Sequence, residues 1–488
     1  MASCRLGTLG LLTLGLLLVS SAHPLAAQPS ENATPPDRPN VIVILADDLG
    51  YGDLGAYGQR KIRTPHIDRM AEEGTRFTQF YAGSTVCAPS RWSLLNGVHM
   101  GHAHVRGNGG PPLRPEDRTI THLFQDAGYA TGMFGKWGLG AEGTSGAPQR
   151  QGFDAFLGYL RHVDAHDYYP DSLWTLRDGQ LVARTLDPGT YSHDLLADEA
   201  LAFIEAHRDE PFFLYLPFTI PHAELAVPAS SKAAYLSEDG TSLLRPDMPF
   251  PCCGVIGTYD AQEHPHAAFA GMVSRMDRDV GRILDTLRAL GLDDNTVVLL
   301  TSDNGPHVEG GADPGFFDSN GPFRGLKRDL YEGGIRVPMI AWGPGTVPAN
   351  QVSDHVWAMW DLLPTLTGLA GLPDPDARRR DGLSMQEALT GGDPPEHEYL
   401  YWEFHHGWVP HYIQAIRQGP WKALRFTEPS GATRLELFNL EADRAETYNV
   451  ATEHPEVARR LDALIDRART APELERFRNP YANRSEDQ

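Results

Sequence analysis

Cys87-Ala88-Pro89-Ser90-Arg91 sets one sulfur nucleophile a turn ahead of a fixed cation. Pro89 suits the first turn of a helix that runs through Trp92, Leu94 and Leu95 to a stop at Gly97. Cys87 is then expected just before a helix N-terminus, where free N–H groups favour an oxyanion and lower a thiol pKa from its usual value of about 8.5. Arg91 adds a planar fork of donors matched to phosphate or sulfate. A second kind of chemistry stands at Asp47-Asp48 and Asp303-Asn304, each pair following an apolar run. Three carboxylates and an amide oxygen are hard donors, and they suit one Ca²⁺ ion better than zinc. His222, after Thr219-Ile220-Pro221, sits at the end of a further apolar run, a placement that favours general acid work.

The elements that must position these groups follow from the pattern of apolar residues. Runs at 41–46, 129–134, 212–216 and 296–301 read as buried strands, each leading into polar residues. Continuous runs of this kind suit a parallel sheet covered on both faces, whose ligands bind at the carboxyl ends of the strands. Helices are predicted at 68–73, 120–127, 193–207 and 267–290, so the fold class is α/β. Residues 224–266 lack periodicity and are expected to be an inserted loop region near the site. A catalytic unit over 28–373 is expected to give way to a small C-terminal α+β unit over 374–488. Its strands are predicted at 399–404, 412–417, 421–426 and 433–439, followed by a helix from Pro455 with Val457, Leu461, Leu464 and Ile465 on one face.

The chain as a whole sets bounds. At 488 residues and 41% hydrophobic composition it is long enough for a large core and a smaller one. Residues 1–27 read as a secretory leader, with Arg5 ahead of an apolar run at 9–19 and small residues after it. That run is too short for a comfortable membrane span, and Cys4 precedes it, so an exported protein, periplasmic or secreted, without a stable membrane anchor is expected. After cleavage Cys87, Cys252 and Cys253 remain, which is not a disulfide framework, and Cys252-Cys253 reads equally as a vicinal disulfide or two thiols. A formal charge of −22 disfavours nucleic acid and anionic membrane surfaces, and an anionic substrate would need local cations.

The run C-x-P-S-R followed by x-x-x-Leu-x-Gly, spanning Cys87 to Gly97, resembles the signature of the type I sulfatases of the alkaline phosphatase superfamily. The resemblance implies a large mixed, mostly parallel sheet sandwiched by helices, with a smaller C-terminal antiparallel sheet plus helix. It implies that a maturation enzyme oxidises Cys87 to formylglycine, whose hydrated aldehyde attacks sulfur. It further implies one Ca²⁺ held by Asp47, Asp48, Asp303 and Asn304 together with residue 87, Lys136 and Lys327 clamping sulfate beside Arg91, and His222 on the leaving-group side. Export and polar loops make a sulfated saccharide the expected substrate class, ahead of a small aryl sulfate. His104, Arg106, Asn108 and His166 are candidate substrate contacts, and Trp402, Glu403, His405, His406 and Trp408 are expected to project toward the cleft.

Two positions depart from the family pattern. Asn96 stands where Thr is usual. More consequentially, Gly138 in Gly135-Lys136-Trp137-Gly138 stands where many members carry the histidine suited to be the base that completes turnover. His166 and His104 are the replacements considered. The departure keeps in view a sulfated-glycan binding protein with impaired turnover, and the resemblance to a superfamily whose members use similar clamps keeps in view a phosphate or phosphonate ester hydrolase.

Overall fold

Asn40–Ala46 (β1) and Thr296–Ser302 (β8) are buried along their whole lengths, as their unbroken apolar runs predict. In the computed structural model, which describes residues 38–252, 259–405 and 411–482, they lie side by side at the centre of an eleven-stranded sheet. The leader expected at 1–27, Cys253, His406 and Trp408 fall outside the described residues. The other strands of this sheet are β2 (Thr75–Tyr81), β3 (Ala130–Lys136), β4 (Ala155–Tyr159), β5 (Ser172–Arg177), β6 (Gln180–Thr185), β7 (Phe212–Pro217), β9 (Arg336–Trp342), β10 (Gln351–Ser353) and β11 (Trp357–Ala358). The order is β10-β2-β9-β8-β1-β7-β3-β4-β5-β6, with β11 also on β2. Pairings are parallel from β8 through β1, β7 and β3 to β4, whereas β9 runs antiparallel to both β8 and β2. The four strands read from apolar runs are thus four adjacent central strands.

Alternation along β1 explains the layers. Val41, Val43 and Leu45 enter one core with Trp92 and Leu95 of helix Cys87–Asn96 and with Leu123 and Phe124 of helix Ile120–Asp126. Ile42 and Ile44 enter the other, against Met70 of helix Pro65–Glu72, Ile204 of helix Ser192–Ala206, and Met276 and Ile283 of helix Pro265–Leu290. Burying each such side chain contributes about 1.5–3 kcal/mol, so both faces of β1 must stay apolar. Tyr259, from the 224–266 region, reaches the ring of His166 at a centroid distance of 5.7 Å, which places part of that segment beside the candidate site.

A second, four-stranded antiparallel sheet runs β12 (Leu400–Phe404), β13 (Tyr412–Gln418), β14 (Trp421–Thr427) and β15 (Thr433–Asn439). Period-two alternation divides its side chains again. Trp402, Ile413, Leu424 and Phe438 pack on Tyr81, Val86 and Trp360 of the large unit, while Tyr401, Ile416 and Leu437 pack on Leu461, Leu464 and Ile465 of helix Pro455–Arg467. Trp402 is therefore core, with its indole N–H on Ala82 O at 2.9 Å, and Glu403 is buried as well. The expectation that these two project into a cleft is corrected.

Candidate active site

The register of β1 and β8 pairs Ala46 with Ser302, so the next residues, Asp47 and Asp303, leave the sheet side by side. Asp303 N–H donates to Ala46 O at 3.2 Å, and Asp48 N–H donates to Asp303 Oδ1 at 3.1 Å. Asp48 has φ = 65°, a left-handed backbone that costs a non-glycine residue on the order of 1–3 kcal/mol and collects at functional sites. Leu49 N–H on Ser302 Oγ, at 2.9 Å, helps to hold it.

Cys87 is the first residue of helix Cys87–Asn96, with extended Val86 as the N-cap and Gly97, at φ = 65°, closing the other end. Helix and stop match the expectation, although the helix begins at Cys87 rather than after it. Asn108 Oδ1 accepts from the N–H of Ala88 at 2.9 Å, satisfying one of the first-turn donors that a helix leaves open. The sulfur lies 3.6 Å from Lys136 Nζ and 4.0 Å from Asp48 Oδ1. Burial and then Asp47 push the thiol well above its ordinary pKa, against Lys136 and Lys327. The lowered thiol pKa expected from the helix N-terminus is thus overturned by desolvation, and an unmodified Cys87 is a poor nucleophile here.

Three cations answer the acidic groups, all of them buried. Lys136, the last residue of β3, donates to Asp47 Oδ2 at 2.6 Å, and Lys327 donates to Asp48 Oδ2 at 2.6 Å. Arg91 gives Nε and Nη2 to Asp303 Oδ2 at 3.0 and 2.8 Å and Nη1 to Lys136 O at 2.7 Å. Its fork is occupied by a carboxylate, so Arg91 positions Asp303; the role of open sulfate fork is corrected. Burial raises Asp47, but Lys136, Arg91 and Lys327 outweigh it and hold that carboxyl well below the usual range. Burial and facing Asp47 push Asp303 up to about 7.

These residues fit a hard cation. Asp47, Asp48, Cys87 and Asp303 each offer a ligand atom, and these atoms lie within 4.8 Å of one another. Asn304 Nδ2 donates to Asp48 Oδ1 at 2.7 Å, while Asn304 Oδ1 is buried without a hydrogen bond. A buried, unsatisfied amide oxygen is what a bound cation would satisfy.

His222 follows β7 and turns Nδ1 to Ala223 O, so Nε2 faces the site, 3.0 Å from Lys327 Nζ and 3.3 Å from Asp48 Oδ2. Its ring is sandwiched between His166, at 4.4 Å, and His307, at 5.3 Å. Burial, then Lys327, hold it neutral. Glu309 backs the lysine, at 3.4 Å from Lys327 Nζ, and pairs with Arg328.

Of the proposed substrate contacts, His166 and Asn108 reach the site. Arg106 does not: it is buried, with Nη1 on Glu403 Oε1 at 2.7 Å and the rest of its fork on Ala103 O and Thr470 O. His104 is turned to Glu473 at 2.8 Å. Both are corrected to links between the 101–110 segment and the C-terminal residues. Sequence reasoning missed His162, His307 and Glu309. The last two share a loop with Asp303-Asn304, a proximity that could have flagged them; His162 follows β4, too short a run to have been recognised as a strand.

The sequence pattern of the family described as Sulfatase matches residues 39–372, and that described as N-sulphoglucosamine sulphohydrolase, C-terminal, matches residues 320–471. The chain is 33% identical over 411 residues to the N-acetylgalactosamine-6-sulfatase of Canis lupus familiaris, covering 79% of this chain and 72% of that one. It is 34% identical over 485 residues to the steryl-sulfatase of Rattus norvegicus, covering 85% and 81%. Among solved structures it resembles Ps i-CgsB in complex with k-i-k-neocarrahexaose, with a TM-score of 0.72, 28% identity and coverage of 88% and 93%. With a sulfatase pattern over most of its length and an acid-rich, lysine-flanked pocket closing on Cys87, the chain belongs to the sulfatase family, hydrolases acting on sulfate esters.

Proposed function

We propose that this sulfatase removes sulfate from a sulfated glycan after Cys87 is oxidised to formylglycine by a maturation enzyme, with one Ca²⁺ ion held by Asp47, Asp48, Asp303 and Asn304, in a protein exported by its residue 1–27 leader. Formylglycine at position 87 would supply an oxygen nucleophile once hydrated, and Ca²⁺ would supply positive charge toward the sulfate. The observation that carries this reading is the buried closure of Lys136 on Cys87, at 3.6 Å, beside the carboxylate cluster. Lys136 and Lys327 bind the anion from two sides, cancelling charge that the acidic surface would repel. Arg91 keeps Asp303 oriented. His222, neutral with Nδ1–H on Ala223 O, presents an unprotonated Nε2 3.0 Å from Lys327 Nζ, so the proton that the departing alcohol needs starts on Lys327 and is passed on through Nε2.

A glycan is preferred because relatives named for N-acetylgalactosamine sulfate and a solved complex with a neocarrahexaose cover most of the chain, and because His166 and Asn108 give the mouth polar contacts. The steryl-sulfatase relative keeps an apolar alcohol as the competing class. Sulfate release from a panel of sulfated saccharides, set against nitrophenyl sulfate, decides between them: faster release from a saccharide is expected, and preference for the aryl ester would overturn the glycan assignment. Intact-mass measurement of protein made with the maturation enzyme should show loss of the thiol at position 87; an unaltered cysteine in a turning-over enzyme would remove formylglycine from the account.

A further inference from the structure

Gly138 leaves β3 two residues after Lys136 with φ = 77°, and a Cβ placed on it would meet His162 Cβ at 3.7 Å. The approach follows from the register: β3 and β4 run parallel, with Lys136 opposite Tyr159, and Gly138 N–H continues the ladder to Leu160 O at 3.0 Å. Chain leaving β4 therefore passes the end of β3 and delivers His162 into the direction a side chain on residue 138 would take. His162 is partly buried, yet no hydrogen bond or ion pair ties its ring to any described residue, and its nitrogens are not sealed from solvent. Burial and then Lys136 hold the ring neutral, with Asp47, Lys327 and Arg91 also acting on it, which places it in the field of the site's own charges. His102 and His104, by contrast, have their rings turned to carboxylates, Asp381 and Glu473.

We propose that His162 is a catalytic residue of this sulfatase, the proton acceptor on the Lys136 side of the site, opposite His222. The inference rests on sulfate-ester hydrolysis at position 87 as proposed above. Its balance is that of the overall reaction: the S–O bond to the alcohol breaks, one water is consumed, and water's two protons must be placed. One replaces the proton that Lys327 gives up to the alcohol oxygen through His222 Nε2; the other leaves as sulfate is freed, taken by a ring nitrogen of His162 and passed to solvent. A neutral imidazole with free nitrogens can accept that proton, whereas Lys136 and Lys327 already donate to Asp47 and Asp48, each at 2.6 Å.

Three variants and one binding measurement test it. His162→Ala, confirmed by mass to be converted at position 87, should lose about 10²-fold or more in kcat with little change in KM. Added imidazole should restore part of that loss, and Gly138→His in the His162→Ala background should recover about tenfold or more, since histidine is among the residues that tolerate a left-handed backbone. Independently of turnover, ring signals of His162 in Cys87→Ala protein should shift when inorganic sulfate is added. Full kcat in converted His162→Ala overturns the inference, as does a His162 ring that ignores sulfate while His222 responds. If His162→Ala fails to fold, His162→Gln takes its place with the same expected loss. Wild-type enzyme converted at position 87 that frees no sulfate from any ester would instead sink the reading on which the inference stands.

Discussion

Arg91 and Asp303 meet through two N–H groups of the guanidinium on one carboxylate oxygen, Oδ2, at 3.0 and 2.8 Å, with both side chains buried. The other oxygen, Oδ1, accepts from the N–H of Asp48. An arginine inside the sulfatase motif thereby fixes a carboxylate that stands far away in sequence, and it does so before any anion arrives.

Arg91→Gln should consequently weaken cation binding. Partners that orient a ligating group are worth about 10–100-fold in metal affinity, and calorimetric titration of Ca²⁺ into wild type and variant measures it. Unchanged Ca²⁺ affinity in the variant would mean that Asp303 needs no such support.

Removing divalent cations with a chelator should lower the unfolding midpoint as well as activity, because a ligand that binds only the folded state adds about 2.7 kcal/mol at a hundredfold excess over its Kd. Readdition of Ca²⁺ restores both, and Asp303→Asn blunts the response. Better restoration by Zn²⁺ than by Ca²⁺ would overturn the choice of ion, which rests on hard oxygen donors at Asp47, Asp48, Asp303 and Asn304.

Glu403→Gln separates structure from substrate contact at Arg106. Glu403 takes Arg106 at 2.7 Å and Arg469 at 2.7 Å in a buried setting. Its neutralisation leaves two guanidinium groups poorly compensated and should cost about 3–5 kcal/mol in denaturant unfolding. KM of the folded fraction should stay as in wild type; a large rise in KM would return Arg106 to the substrate.

Acid should destabilise the protein in part through His99. Burial, opposed by Asp381, lowers its pKa to about 4 in the folded chain, against the ordinary value of 6.5. A histidine held neutral in the folded state binds fewer protons than the unfolded chain between those values, so stability falls as pH drops from 6.5 toward 4, by up to about 3 kcal/mol. The stability gap between wild type and His99→Asn, followed by thermal unfolding, should shrink over that window and stay constant above it. A gap that widens on acidification would reverse the sign of the argument.

Much of this protein was legible along the chain because its central strands are buried on both faces. The runs at 41–46, 212–216 and 296–301 read as strands of a covered parallel sheet, and the structure pairs them side by side, so the Asp47, Asp303 and His222 segments leave the same edge. Edge elements were harder. The hairpin of β5 and β6 is short and half exposed, and its Asp178-Gly179 turn, both residues at positive φ, was the signal passed over.

By itself the sequence determined the fold class, the acidic pairs, Cys87 with Arg91, and the two lysines, since each is written in a local run of residue types. Only the tertiary structure decided what each group faces. It turned Arg91 onto Asp303 and Arg106 onto Glu403, raised the Cys87 thiol by burying it, and carried His162 to Gly138. The physical reason is that burial and ion pairing depend on which distant segments meet, and that is fixed by strand register and packing rather than by any residue's neighbours in the chain.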